Sequence, residues 1–139
     1  MPVRIGNLAP RWKHDLPRVL YGLLTEIYDA LYADGRRLAI MGARTVVDIV
    51  MREQLGEDRG SFQKQLEGLE EKGLIGKKNR EFLAAALDAG SAAAHRGYIP
   101  KAEEVDHVMN IVENVLEAVY ILEKAAEGLK QSTPPREKP

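Results

Sequence analysis

His95 and Arg96 are the residues whose types best suit chemistry, and they end the small-residue segment DAGSAAAHR, residues 88–96. The ordinary pKa of histidine is about 6.5, so His95 can act as a general acid or base near neutral pH. Arg96 can bind a phosphate group. The alternative is that His95 forms a hydrogen bond with a neighbouring helix, and that Arg96 is a solvated surface residue. His95 is therefore a candidate for catalysis, although no catalytic partner stands near it in the sequence.

A second group of charged residues forms one line along an otherwise apolar helical segment: Arg37, Arg44, Asp48 and Arg52. Because an unpaired charge on a buried helix is costly, one interpretation is a structural ion pair between Arg44 and Asp48, one turn apart. Another is a cleft in which Arg44 and His95 face a ligand. A third hypothesis is that Arg37, Arg44 and Arg52 bind a small anion such as a nucleotide.

Charge is unevenly distributed between two helical segments. Residues 36–52 carry four arginines and one aspartate, a net charge of +3, whereas residues 101–130 carry three lysines and seven acidic residues, a net charge of −4. The two segments should attract each other, and an anion site should lie near the first of them.

Metal and cofactor chemistry finds little support in the sequence. The chain has no cysteine and three histidines, of which His14 lies in an irregular region. Glu104 and His107 have the Glu-x-x-His spacing of carboxylate-bridged metal bundles, but such sites need a second copy of that motif, which is absent. There is no glycine-rich phosphate loop and no nucleophile elbow. We therefore expect no metal and no cofactor.

The helices that position these residues are predicted from apolar residues at three- and four-residue spacing. The first begins near Asp15 as its N-cap and ends at Asp34-Gly35, and the second covers about 36–55, apolar nearly all round and hence central. Gly42 in the second helix predicts close approach by another helix. The third helix, capped by Ser61, ends at Lys72-Gly73. The fourth runs over about 80–89, capped by Asn79 and interrupted by Gly90, and the fifth over about 101–130.

The last helix is too long and too apolar for the rest of the chain to cover. Thirty residues extend about 45 Å, whereas a compact domain of this size is about 37 Å across. Its apolar residues form two seams, which we list together: Val105, Val108, Val112, Val115, Val119 and Leu122, then Ile111, Val115, Ala118, Leu122, Ala125 and Leu129. The excess apolar surface predicts a homodimer through this helix.

Composition sets the class of protein. The 139 residues fit a single all-α bundle at 16–131, with an irregular lead-in at 1–15 and a disordered tail at 132–139. A net charge of −1 argues against a generally basic nucleic-acid binder. There is no secretory signal and no apolar run of the ~18 residues that a membrane span needs. We expect a cytoplasmic protein that does not bind membranes.

Three segments carry a family resemblance: LPRVLYGLLTEIYDAL at 16–31, RRLAIMGARTVVDIVM at 36–51, and DAGSAAAH at 88–95. Together they resemble a widespread bacterial domain of unknown function, found alone and fused to restriction-enzyme subunits, in or near the HEPN superfamily of helical bundles. The best landmarks are Arg44 with Asp48, and the small-residue run that ends in His95. The resemblance implies a five-helix HEPN-like bundle, often dimeric, with ties to phage defence or nucleic-acid processing.

The same resemblance bears on catalysis. Active HEPN ribonucleases pair a histidine with an arginine, with four to six residues between them. Here those positions hold Asp88, Ala89 and Gly90, and Ser91 replaces the usual asparagine after the glycine. The leading hypothesis is therefore a non-enzymatic interaction and dimerisation module, acting with partner proteins or nucleic acid. The alternatives are a metal-independent ribonuclease that uses His95 with Arg44 or Arg96, and a protein that binds a small anion or nucleotide.

Overall fold

The described residues fold into an all-α bundle of five helices, the last of them long, as the sequence predicts. The computed structural model describes residues 9–56, 60–96 and 98–135, and of residues 89–96 and 123 it describes the backbone alone. The helices are α1 (Arg18–Tyr32), α2 (Arg36–Leu55), α3 (Phe62–Glu71), α4 (Lys77–Arg96), α5 (Ala102–Leu116) and α6 (Glu123–Ser132), and a π-helical segment (Glu117–Leu122) joins the last two into one continuous helix. No strand occurs among the described residues.

The start of α1 differs from the prediction. Asp15 does not cap it; that residue ends a short 3-10 helix, Arg11–Asp15, within the predicted lead-in. Leu16 is extended, with ψ at 156°, because the ring of a following proline excludes helical backbone at the residue before it. Pro17 is therefore the N-cap, and α1 begins at Arg18.

The predicted fourth helix was too short at both ends. Helical hydrogen bonding begins where the Arg80 amide donates to the Gly76 carbonyl, so Asn79 lies inside α4 and does not cap it. The backbone of α4 also continues through Gly90 to Arg96. A helical glycine costs only about 1 kcal/mol relative to alanine, and the alanines around it have the highest helix propensity.

Helix α2 lies at the centre of the bundle and packs against α1, α3, α4 and α5. Its predicted bounds are confirmed, as is the close approach at Gly42, where a Cβ would lie 2.6 Å from Cγ1 of Ile27 on α1. The prediction that α2 is apolar and buried nearly all round was wrong on one face. Leu38 and Met41 are 65% and 40% exposed, because no other described element covers that side.

The apolar face of the long C-terminal helix is buried in its first half and exposed in its last third. The apolar residues of α5, from Val105 to Leu116, are buried, and Val119 in the π segment is the last buried residue. A π turn holds one residue more than an α turn, so it shifts the phase of the residues after it by about 100° relative to an uninterrupted α-helix. Beyond it, α6 contacts no described element except the π segment itself.

One polar contact holds the π segment to the bundle. The Tyr120 hydroxyl donates a hydrogen bond of 2.8 Å to the Glu53 carboxylate near the end of α2. Partial burial, together with this hydrogen bond, raises the pKa of Tyr120 above its ordinary value, so the hydroxyl stays protonated and remains a donor. The last core contacts of the helix are thus at the π segment, and α6 extends past them.

The C-terminal end of the described chain is partly helical. Ser132, the first residue of the predicted tail, ends α6; residues 133–135 are not helical, and 136–139 lie outside the described residues. No helix in the described part of the chain has the length and apolar character needed to cross a bilayer.

Candidate functional site

Arg44 lies at the junction of three helices and is the centre of the main candidate site. Its guanidinium carbon is 4.2 Å from the ring centroid of Phe62, the first residue of α3. Its Nη1 donates a hydrogen bond of 3.2 Å to the carbonyl oxygen of Leu87 on α4. The side chain is half-buried, so both contacts restrict it. Arg44 therefore ties α2 to α3 and α4.

The predicted ion pair between Arg44 and Asp48 does not form. The Asp48 carboxylate lies 3.2 Å from the guanidinium of Arg52 instead. An acidic residue four positions before a basic one is the favourable order on a helix, whereas Arg44 precedes Asp48. The Arg52 side chain is 76% exposed, so this pair contributes a few tenths of a kcal/mol.

Two cavities open on either side of Arg44 and Phe62. One, of about 390 Å³, lies between α3 and α4, and its charged lining residues are Arg44, Arg80, Glu81 and Asp88. The other, of about 360 Å³, lies between α2 and the start of α3; it is lined by Arg44, Thr45, Asp48, Arg52, Gly60, Phe62 and Gln65. The first has two positive and two negative side chains, and the second has two arginines and one aspartate. The second cavity is the one suited to an anion.

Sequence reasoning missed two contributors to this site. Phe62 is an apolar residue at the start of α3, and its ring lies under the Arg44 guanidinium. Arg80, which lines the first cavity, forms an ion pair with Glu70 on α3. Both contacts join residues from different helices, so no spacing along the chain signals them. The correctly predicted Ser61 cap, whose hydroxyl accepts a hydrogen bond from the Lys64 amide, was the one local clue to where Phe62 would lie.

His95 and Arg96 fall near the end of α4, and their side chains lie outside the described residues. Their backbone position still bears on the proposed cleft. Arg44 is anchored at Leu87, and His95 is eight residues farther along the same helix, which is about 12 Å along the helix axis. Arg44, which is on α2, therefore contacts α4 about two turns before the turn that contains His95. Arg37 is the third predicted anion ligand. Its side chain is exposed and lines neither of these cavities.

The Glu-x-x-His pair has other contacts. The Glu104 carboxylate accepts a hydrogen bond of 3.1 Å from the Tyr98 hydroxyl, and this bond raises the pKa of Tyr98. The His107 ring meets the Phe82 ring edge-on at 5.5 Å between centroids. The His14 ring is 5.2 Å from that of Tyr21. In the described part of the chain, no three acidic, histidine or cysteine side chains are grouped so as to hold a metal ion.

A second candidate site is the apolar stripe of α6, by which we mean Leu122, the last residue of the π segment and the N-cap of α6, together with Ala125, Ala126 and Leu129. Their spacing places these residues on one side of the helix. Leu122 and Leu129 are 54% and 66% exposed, and the two alanines are exposed as well. An exposed leucine is ordinary by itself, but a helix whose described residues are all exposed gains no stability from packing on its own chain.

Comparison with known families gives one match. The family model DUF4145, a domain of unknown function, matches residues 25–132, more than three quarters of the chain. The matched region contains α2 to α6 and the Arg44 site. Neither a curated protein nor a solved structure matched the chain.

Proposed function

Because the chain belongs to the DUF4145 family, a domain of unknown function, we propose from its geometry that it is a helical interaction module that dimerises through α6. The observation that carries the proposal is the apolar stripe of α6, because α6 continues a core helix into solvent and contacts no described element other than the π segment. A second copy that covers both leucines removes their apolar surface from water, at about 1.5–3 kcal/mol for each fully buried leucine.

Charge is compatible with self-association. The sequence of α6 contains two glutamates and two lysines, and the whole chain has a net charge of −1. Two copies therefore do not repel each other strongly. A HEPN-like role in phage defence or nucleic-acid processing, acting with a protein or nucleic-acid partner, is the biological context that we propose; the small-residue segment before His95 and the Arg44–Asp48 spacing support it.

The experiment is a comparison of molar mass by light scattering. The wild-type protein should have twice the 15.5 kDa mass of the chain. The variant Leu122→Gln/Leu129→Gln should be monomeric, since loss of four buried leucines per dimer raises the dissociation constant by more than about 100-fold. The matched control, Glu127→Gln, changes an exposed charge on the same helix, on the side away from the stripe, and should remain dimeric. A double-leucine variant that dimerises like the wild type would refute the assignment of α6.

A second candidate function is the binding of a small anion, and a specific observation favours it. Arg44 and Arg52 line the same 360 Å³ cavity, so two positive charges face one opening. The version of the metal-independent ribonuclease that pairs His95 with Arg44 gains no comparable support, since Arg44 is anchored at Leu87, two turns of α4 before His95. Anion binding is therefore the alternative that we retain.

Thermal unfolding with ATP or inorganic phosphate tests the anion site. A ligand at 100 times its dissociation constant adds about 2.7 kcal/mol to the free energy of unfolding, which raises the melting temperature by several degrees. The increase should disappear in Arg52→Gln, which removes an exposed charge and leaves the core intact. Unchanged melting temperatures with both anions at millimolar concentrations would exclude the site.

A further inference from the structure

The outer side of α1 and α2 carries an apolar groove, lined by Leu23, Glu26, Ile27, Ala30, Leu38 and Gly42. Its volume is about 240 Å³. Gly42 allows the two helices to approach closely, which forms the floor of the groove. Leu38, one of the lining residues, is 65% exposed. Val19 stands four residues before Leu23 on α1, and Met41 three residues after Leu38 on α2, so helical spacing places each beside a lining residue; they are 67% and 40% exposed. No described element covers this groove.

Exposed apolar side chains are concentrated on two surfaces of this chain. Of the eight large hydrophobic residues that are exposed in the described part, Leu38 lines the groove, Val19 and Met41 lie one helical turn from lining residues, and Leu122 and Leu129 belong to the apolar stripe of α6. One surface is concave and the other is a ridge with leucines seven residues apart. A helix that presents residues at i and i+7 is the standard occupant of a groove between two helices.

The area available decides between two ways of forming a dimer. A ten-residue helix is only about 15 Å long, so direct pairing of two α6 helices buries on the order of 600 Å² in total. Specific interfaces bury about 1,200–2,000 Å². If each α6 instead lies in the groove of the other copy, the contact forms twice, and the buried area rises to roughly 1,200 Å². The two-fold exchange therefore reaches the size of a stable interface, whereas direct pairing does not.

Charge agrees with this exchange. Glu26 lines the groove and is exposed, and Lys124 and Lys130 are exposed on α6. A lysine at the edge of the docked helix can pair with the Glu26 carboxylate.

We infer that α6 of one copy lies in the α1–α2 groove of a second copy, and that the exchange is reciprocal by two-fold symmetry. The inference rests on the proposed dimer, and it identifies the α1–α2 groove as the surface that α6 of the other copy contacts. It also explains why α2, the central helix, leaves Leu38 and Met41 exposed within one chain. In the dimer, both residues are covered by the apolar stripe of the other copy.

Site-specific cross-linking tests the inference, and the absence of native cysteine makes it simple. The variants Leu38→Cys and Leu129→Cys are purified separately, mixed, and treated with a short bismaleimide. We expect the mixture to give a dimer band at least ten times stronger than either variant alone. The control mixture of Leu129→Cys with Lys78→Cys, on the exposed start of α4, should give only background.

Each outcome bears on a different claim. Strong cross-linking of Leu129→Cys to itself, or background in the Leu38→Cys mixture while light scattering shows a dimer, would overturn the groove and leave the α6 dimer standing. A monomeric wild type would overturn both. Loss of dimer mass in Met41→Glu, a change at an exposed position that should not unfold the chain, would support the groove independently.

Discussion

Replacement of Gly42 by alanine is expected to destabilise the fold by about 1–3 kcal/mol, although alanine is the better helix former by about 1 kcal/mol. The added Cβ would lie 2.6 Å from Cγ1 and 3.1 Å from Cδ1 of Ile27. Ile27 is β-branched and 2% exposed, so its side chain cannot move aside without disturbing the core. The two central helices must then separate.

The matched control for this change lies on the other helix of the pair. Gly22 in α1 has nothing within 4 Å of a built Cβ, so Gly22→Ala should raise the stability by up to about 1 kcal/mol. Urea unfolding of both variants measures the difference. Equal stability of Gly42→Ala and Gly22→Ala would show that α1 and α2 are not in close contact at Gly42.

Replacement of Arg44 by alanine is expected to cost about 2–3 kcal/mol in the absence of any ligand. The loss combines a charged hydrogen bond to the Leu87 carbonyl, worth about 1.5–3 kcal/mol, and the contact with the Phe62 ring, worth about 0.5–1 kcal/mol. The two contributions overlap, so they do not add fully. The prediction treats Arg44 mainly as a structural residue that joins three helices.

Arg52→Ala is the control for Arg44, because it removes the same charge from the same helix at a position that is 76% exposed. It should change the stability by less than about 0.5 kcal/mol. Chemical denaturation of both variants, with and without phosphate, makes the comparison. If Arg44→Ala were as stable as Arg52→Ala without phosphate, the anchoring role would be wrong, and a role in binding would be favoured instead.

The features that depend on local sequence were predicted well. The apolar spacing predicted the bounds of α2, and Ser61 predicted the N-cap of α3. The isolated Gly42 predicted that another helix, which is α1, approaches α2 closely. Each of these is set by residues within a few turns of one another. The family model then matched the region to which the resemblance had pointed, as a domain of unknown function.

The errors arose where two local signals compete or where the answer depends on tertiary contacts. Asp15 is a good N-cap by type, but Pro17 excludes helical backbone at Leu16. Gly90 marked a break, but the neighbouring alanines carry α4 through it. The π segment has no sequence signature that separates it from an α-helix; it accompanies the contact between Tyr120 and Glu53, which are 67 residues apart.

The candidate sites show the same limit. Arg44 was found from its type and its place on an apolar helix, but its partners Phe62 and Leu87 lie on other helices and could not be read from spacing. The length of the last helix predicted an excess of apolar surface. The groove that we assign as the binding surface for α6 could not be predicted from the sequence, because Leu38 and Met41 have the pattern of core residues of a central helix.

The most direct test of the central claim is the molar mass of the wild-type protein, measured by light scattering across a series from submicromolar to high micromolar concentrations. If α6 is a dimerisation element, the mass rises from 15.5 kDa to twice that value and goes no higher, because a closed two-fold exchange saturates at the dimer. A mass that stays at 15.5 kDa throughout the series would contradict the account.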